Sequence, residues 1–146
     1  MRHHIESLDD IRWLRENKHV ECKLAIGRDG NGELPHDVWE TYSAFANTAG
    51  GEIFLGLREL PDMSYQLVGI RDINKVLEQF FDGLNNPRIV NQNILTVSDV
   101  EVIQLMGREL IQIYVPPVDA VIYINGDPER GAYRREGNAD KRIIVD

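Results

Sequence analysis

The sequence predicts an α+β domain with a mixed, mainly antiparallel sheet and two principal helices. Several short segments alternate apolar and polar residues, which is the period of a strand with one buried face. Two longer segments repeat their apolar residues every three or four positions, which is the period of an amphipathic helix. Helices interspersed with hairpin-spaced strands are typical of an α+β arrangement. The 146 residues, 42% of them hydrophobic, suffice for one domain with its own core.

The first two predicted elements are a helix over 7–17 and a strand over 20–25. A serine followed by two aspartates opens the helix, which is an N-terminal signature, and apolar residues follow at helical spacing. In the strand, alternation places Cys22 on the apolar face and Glu21 and Lys23 together on the opposite face. Any chemistry of these two charged residues would therefore act on one side of the strand.

The second helix is predicted to begin at Pro35 and to end at the Gly50-Gly51 pair. Proline suits a first helical turn because its missing amide hydrogen is not needed there, and glycine accepts the left-handed backbone that ends a helix. Asn47, near that end, has two interpretations. Its side chain locks the turn into the next strand, which we favour, or the turn presents polar groups to a ligand.

A third helix is predicted over 73–84, and the remaining elements are strands. Asn85-Asn86-Pro87 ends the helix, since proline cannot continue it. Gly107 separates two long strands at a spacing that suits a hairpin. The strands after the second helix are predicted over these ranges: 52–58, 65–70, 94–106, 109–115, 121–124 and 132–135. The last residues, 141–146, return to an apolar pattern without a stop signal, so we expect the chain to continue beyond them.

The composition and the missing motifs exclude several classes of protein. No apolar run approaches the roughly 18–20 residues that cross a membrane, and the first residues lack the apolar stretch of a signal peptide. Cys22 is the single cysteine, which is typical of a reducing compartment and excludes a cysteine-rich zinc site. The glycines at 27–32 are not followed by the Gly-Lys-Ser/Thr of a phosphate-binding loop. We therefore expect a cytoplasmic domain that binds neither membrane nor ATP.

The charge distribution is uneven. A net charge of −8 disfavours indiscriminate binding to nucleic acid, because neutralising phosphates requires clustered lysine and arginine. Five of the 16 basic residues nevertheless fall in the last 17 positions: Arg130, Arg134, Arg135, Lys141 and Arg142. This cluster is either a local phosphate-contacting face or a solvated terminal segment.

Five sequence blocks occur in an order that resembles a known family. The central block is the run Ala-Phe-Ala-Asn-Thr-Ala-Gly-Gly at 44–51, followed by a strand. The others are Glu16-x4-Glu21-x-Lys23, Leu84-Asn85-Asn86-Pro87, Ile113-Tyr114-Val115-Pro116 and Tyr133-Arg134-Arg135-x-Gly137. Together they resemble the Schlafen Alba-like domain over nearly the whole chain. This domain occurs in many bacterial regulators and is often described as RecG-related.

The resemblance implies a nucleic-acid-binding module of a transcriptional regulator. We expect 1–146 to form a single Alba-like domain, the N-terminal part of a longer regulator, with DNA or RNA as its partner and no cofactor. Arg58, Arg134 and Arg135 are the candidates for phosphate contacts. Because Alba-like folds often pair, a homodimer is also expected.

The resemblance also implies a metal-dependent alternative. In animal Schlafens the domain is part of an RNA-cleaving unit whose acidic residues bind a divalent metal. The matching carboxylates are Glu16 and Glu21, with Glu59 as the third, and they would hold Mg²⁺ or Mn²⁺ against a phosphate. Lys23 would then steady the developing charge. The plainer interpretation is that Glu21 and Lys23 form an exposed ion pair.

A third class is a protein-interaction or oligomerisation domain that binds no nucleic acid, and the acidic pI of about 5.0 favours it. Among the three classes we prefer the non-catalytic nucleic-acid-binding module, because the family blocks and the basic cluster both point to it.

Overall fold

The computed structural model describes residues 2–144 and places a four-stranded sheet at the centre of the fold. In chain order the strands are β1 (Val20–Lys23), β2 (Gly51–Leu55), β3 (Leu57–Glu59), β4 (Tyr65–Leu67), β5 (Val100–Leu105), β6 (Arg108–Val115), β7 (Tyr133–Glu136) and β8 (Ala139–Arg142). The helices are α1 (Leu8–Arg12), α2 (Val38–Asn47) and α3 (Ile73–Leu84), and a short 3-10 turn spans Val97–Asp99.

The central sheet has the order β1-β2-β6-β5. β1 runs parallel to β2, whereas β2–β6 and β5–β6 are antiparallel pairs. β3–β4 and β7–β8 form two separate antiparallel hairpins. The sheet is therefore mixed and mainly antiparallel, which confirms the predicted fold class.

Each face of the central sheet buries its own set of side chains. Ile53 and Ile113, which are partners across β2 and β6, lie in the larger core under α2 and α3. Phe54, on the opposite face of β2, lies in a smaller core with residues from α1 and the β3–β4 hairpin. This division follows from strand alternation, because neighbouring residues of a strand point to opposite faces.

The helices α2 and α3 approach each other closely. The Trp39 and Phe80 rings are stacked, with centroids 5.4 Å apart and planes at 4°. At Gly83 a Cβ atom would lie 2.1 Å from an atom of the Trp39 ring, so only glycine leaves room for the indole. A glycine inside a helix normally weakens it, and here it permits this contact.

Some predicted elements are shorter or divided. α1 ends at Arg12 rather than near 17, since the chain turns there and Asn17 forms a bridge with Val20. The strand predicted over 52–58 is divided at Gly56, where a φ of +107° directs the chain out of the central sheet into β3. The strand predicted over 94–106 begins at Val100, because a capped 3-10 turn precedes it.

The strands near the C-terminal end also differ from the prediction. The segment predicted as a strand over 121–124 forms only isolated bridges, whereas 139–142, not predicted as a strand, forms β8. Of the apolar pattern over 141–146, Val145 and Asp146 lie outside the described residues. No helix within residues 2–144 is long and apolar enough to cross a membrane.

Candidate nucleic-acid interface

Arg135 lies beneath the β7–β8 hairpin rather than on its surface. Only 5% of the residue is exposed, and its guanidinium donates hydrogen bonds to the carbonyls of Asn17 and Val20 and lies 4.9 Å from the centre of the Phe45 ring. This corrects the expectation that Arg135 contacts phosphates. Side chains alternate along a strand, so within the Arg134–Arg135 pair it is Arg134 that faces solvent.

Two carboxylates neutralise the buried guanidinium. Nη1 of Arg135 lies 3.0 Å from Oε1 of Glu21 and 2.7 Å from Oδ1 of Asp140. The Thr41 hydroxyl donates to the other oxygen of Asp140. These contacts connect β1, α2 and β8 through one arginine. A buried charge requires such partners, since an unpaired one is costly.

Asp140 was not among the residues that the sequence suggested. The sequence carries a weak signal for it, because residues of opposite charge stand five positions apart. In the structure Arg135 and Asp140 are direct partners across the β7–β8 hairpin, where opposite charges attract. Because 139–142 is not predicted as a strand from the sequence, this pairing of Arg135 with Asp140 is not predicted either.

Glu16 lies on a different side of β1 from Glu21. Its Oε2 accepts a hydrogen bond from the Cys22 amide at 3.3 Å, along the edge of the strand. Burial raises the pKa of the Cys22 thiol, and the Glu16 carboxylate raises it further. Burial also raises the pKa of the Tyr65 hydroxyl, with Cys22, Glu16 and Glu59 adding to the effect. Glu16 and Glu59 thus lie near the same two groups.

The three predicted metal ligands do not converge. Glu16 and Glu59 lie near Tyr65, whereas Glu21 faces Arg135 across the strand. Within residues 2–144, no group of three or more His, Cys, Asp or Glu side chains is placed to hold a metal ion. Because Arg135 already neutralises Glu21, these residues in this arrangement do not fit Mg²⁺ or Mn²⁺.

Lys23 shares a face of β1 with Glu21, as predicted, but contacts a different carboxylate. Its Nζ lies 3.2 Å from Oδ2 of Asp37, the residue that precedes α2. The Lys23 side chain is mostly buried, whereas that of Asp37 is exposed. The exposed Glu21–Lys23 ion pair that the sequence suggested is therefore replaced by two separate pairs.

Arg58 and Arg134 are both exposed, on different hairpins. Arg58 lies opposite Gln66 in the β3–β4 hairpin. Arg134 lies opposite Lys141 in the β7–β8 hairpin, and Glu136 lies 3.1 Å from Arg134 and 3.9 Å from Lys141. The outer face of the β7–β8 hairpin thus presents two cations side by side with one carboxylate between them.

Asn47 supports this hairpin from within. Its amide nitrogen donates to the carbonyls of Ile122 and Tyr133, and its oxygen accepts from the Ile122 amide at 2.8 Å. The side chain therefore has a structural role, as favoured from the sequence, although it ties α2 to the distant C-terminal segments rather than to the adjacent turn.

Comparisons with known proteins agree with this architecture. The model of the family described as Schlafen, AlbA_2 matches residues 16–143. The chain is similar to the solution NMR structure of the N-terminal domain of a Nitrosomonas europaea protein whose name relates it to the ATP-dependent DNA helicase RecG. The TM-score is 0.62 and the identity 28%, over 97% of this chain and 96% of that one.

A second solved structure shares the fold. The DIP2311 protein from Corynebacterium diphtheriae matches with a TM-score of 0.57 and 20% identity, over 86% of this chain but 22% of that one. None of the curated proteins matches the chain. Because the family pattern extends over 16–143, nearly the whole of the sequence, the chain belongs to the Schlafen AlbA_2 family.

Proposed function

We propose that this domain is a nucleic-acid-binding module of a transcriptional regulator and that the outer face of the β7–β8 hairpin contacts phosphates. The observation that carries the proposal is the pairing of Arg134 with Lys141 on that face, each with a side chain 57% exposed. Like charges directly opposite each other weaken a hairpin, and Glu136 offsets the repulsion only in part. A phosphate would supply the missing negative charge.

The rigidity of the hairpin supports the proposal. Arg135 and Asn47 tie its inner face to β1 and α2, so Arg134 and Lys141 project from a fixed backbone. The ion pairs of Glu136 are surface pairs, each worth at most about 1 kcal/mol, and a phosphate can displace them at little cost. The name of the similar Nitrosomonas europaea protein, which refers to a DNA helicase, points in the same direction.

Fluorescence anisotropy with labelled duplex DNA and labelled hairpin RNA tests the proposal, at low and physiological salt. We expect saturable binding that weakens steeply with salt. In the Arg134→Glu/Lys141→Glu variant, affinity should fall by about tenfold or more, and the slope of log K against log salt should become shallower by about two. Arg28→Glu/Arg88→Glu is the matched control, since it changes the net charge equally at other exposed positions.

Equal losses of affinity in both double variants would place the contact elsewhere on the surface. Absence of binding to either probe at low salt would favour the protein-interaction class instead. A divalent-metal-dependent ribonuclease, the alternative that the resemblance implies, is tested with the same hairpin RNA in Mn²⁺ or Mg²⁺. We expect the RNA to stay intact.

A further inference from the structure

The two edge strands of the central sheet differ in whether their outward-facing backbone groups have hydrogen-bond partners. At the β1 edge, side chains cover the backbone: Glu16 accepts from the Cys22 amide, and Arg135 donates to the Val20 carbonyl. At the other edge lies β5, which pairs with β6 on one side. Among residues 2–144, no hydrogen bond reaches the outer side of β5 between 101 and 105.

The hairpin geometry identifies the outward-facing groups of β5. Met106 and Gly107 have φ values of +52° and +73°, which is typical of a two-residue type I′ turn, and Leu105 pairs with Arg108 beside it. In such a hairpin the residues next to the turn exchange hydrogen bonds, and the pattern then alternates along the strand. The amides of Val102 and Gln104 therefore point away from β6.

Apart from the exposed charge of Glu101, β5 lacks the usual protection of an edge strand. Its register with β6 runs without a bulge from Val100 to Leu105, and its sequence, Val-Glu-Val-Ile-Gln-Leu, contains neither proline nor lysine. Large apolar side chains are also exposed along it: Val102 (38%), Val97 just before the strand (81%) and Met106 just after it (72%). An open edge of this kind is a template for another strand.

We propose that a second copy of this chain pairs antiparallel with β5, with the two-fold axis passing through Val102. The two four-stranded sheets would then form one continuous eight-stranded sheet. The strand itself argues for a second copy, because it is complementary to itself in this register. A two-fold interface requires such self-complementarity, whereas an unrelated peptide does not.

The register follows from the outward-facing groups. When Val102 lies opposite Val102 of the second copy, Gln104 lies opposite Val100. The backbone N–H and C=O groups that point away from β6 in one copy then face the groups that point away from β6 in the other. The Val100 amide already donates to the Val97 carbonyl, which leaves about four hydrogen bonds across the interface. Glu101 lies opposite Ile103, so no like charges are directly opposite, and the two Glu101 side chains are diagonal neighbours at about 7–8 Å. The exposed Val97 and Met106 of the two copies approach each other at both ends.

A cysteine cross-link tests both the pairing and its register. In Val102→Cys the two new thiols face each other with Cα atoms about 5.5 Å apart, which suits a disulfide. In the control Gln104→Cys the two thiols are four residues out of register, about 13 Å apart, beyond the reach of a disulfide. Mild oxidation should give a covalent dimer for the first variant and not for the second. Both variants retain Cys22, and the unsubstituted chain controls for it.

Sedimentation of the unoxidised chain provides the second measurement, from about 10 μM to about 1 mM. We expect a dimer that dissociates on dilution and that Val102→Pro abolishes. Proline is tolerated at this position because the Val102 amide makes no bond to β6, and an unchanged circular dichroism spectrum would show that the fold persists.

A monomeric mass over the whole range overturns the proposal, as do equal cross-link yields at positions 102 and 104. No nucleic acid is present in either measurement, so the result is independent of the proposed phosphate contacts.

Discussion

The Arg135 guanidinium lies 3.0 Å from the Glu21 carboxylate, and this contact joins two residues that are 114 positions apart in the chain. It ties the C-terminal hairpin to the first strand of the central sheet. Glu21, which the family resemblance made a candidate metal ligand, is thereby held in a structural ion pair. The stability of the domain should therefore depend on both partners.

Replacing Arg135 by methionine should destabilise the domain strongly. The variant leaves Glu21 and Asp140 buried without their cation, which typically costs about 3–5 kcal/mol of the free energy of unfolding. Urea unfolding followed by circular dichroism measures the loss. Arg134→Met is the matched control, and because Arg134 is exposed its effect should stay within about 0.5 kcal/mol. Similar effects of the two substitutions would contradict the burial of Arg135.

Replacing Glu21 by alanine separates the structural role from a metal-binding role. We expect a loss of about 1–3 kcal/mol in the free energy of unfolding, smaller than for Arg135→Met because Asp140 remains as a partner. We also expect no change in Mn²⁺ affinity measured by calorimetry. A variant that keeps its stability but loses Mn²⁺ binding and RNA cleavage would instead support the nuclease alternative.

Tyr42→Phe should weaken the contact between α2 and the segment that leads to β5. The Tyr42 hydroxyl donates to the Gln92 carbonyl at 2.8 Å and accepts from the Ile94 amide at 3.0 Å. Removing it leaves both backbone groups without this partner, which costs about 1–3 kcal/mol. Urea unfolding at neutral pH measures the difference between the variant and the unsubstituted chain.

The difference in stability between the unsubstituted chain and Tyr42→Phe should also depend on pH. Burial raises the pKa of Tyr42 from 10.0 to about 12. The folded protein therefore holds this proton to a higher pH than the unfolded chain, so the associated stability is complete below pH 10.0 and is lost as the pH rises toward about 12. The stability advantage over Tyr42→Phe should shrink between those values. An advantage that stays constant across this interval would contradict the assignment.

Gly83→Ala should destabilise α3 against the usual trend. In an exposed helix interior this substitution stabilises by about 1 kcal/mol. Here the new Cβ would lie 2.1 Å from the Trp39 ring, so the stacked Trp39–Phe80 pair must move, at a cost of about 1–3 kcal/mol. Thermal unfolding and the near-ultraviolet signal of the indole measure the change. Asp82→Ala, at the exposed neighbouring position, should have little effect. A stabilised Gly83→Ala variant would show that the ring is not held there.

Local patterns were sufficient for several elements. α3 spans Ile73–Leu84 as predicted, since its apolar period, the Asp72 side chain that caps the Lys75 amide and the Asn-Asn-Pro stop are all adjacent in the chain. The alternation of β1 was also predicted correctly, with Glu21 and Lys23 on one face. Both predictions rest on a repeat of two or of 3.6 residues, which is a property of the backbone itself.

By itself, then, the sequence determined the fold class, the family blocks and the uneven distribution of basic residues. Only the tertiary structure decided that Arg135 is buried while Arg134 is exposed, that Glu21 faces Arg135 rather than Glu16, and that β5 is an edge strand whose outer side pairs with no strand of residues 2–144. The physical reason is that these outcomes depend on which strands become neighbours and in which register. A one-residue change of register exchanges the two faces of a strand, so neighbouring arginines with the same chemistry can acquire opposite roles.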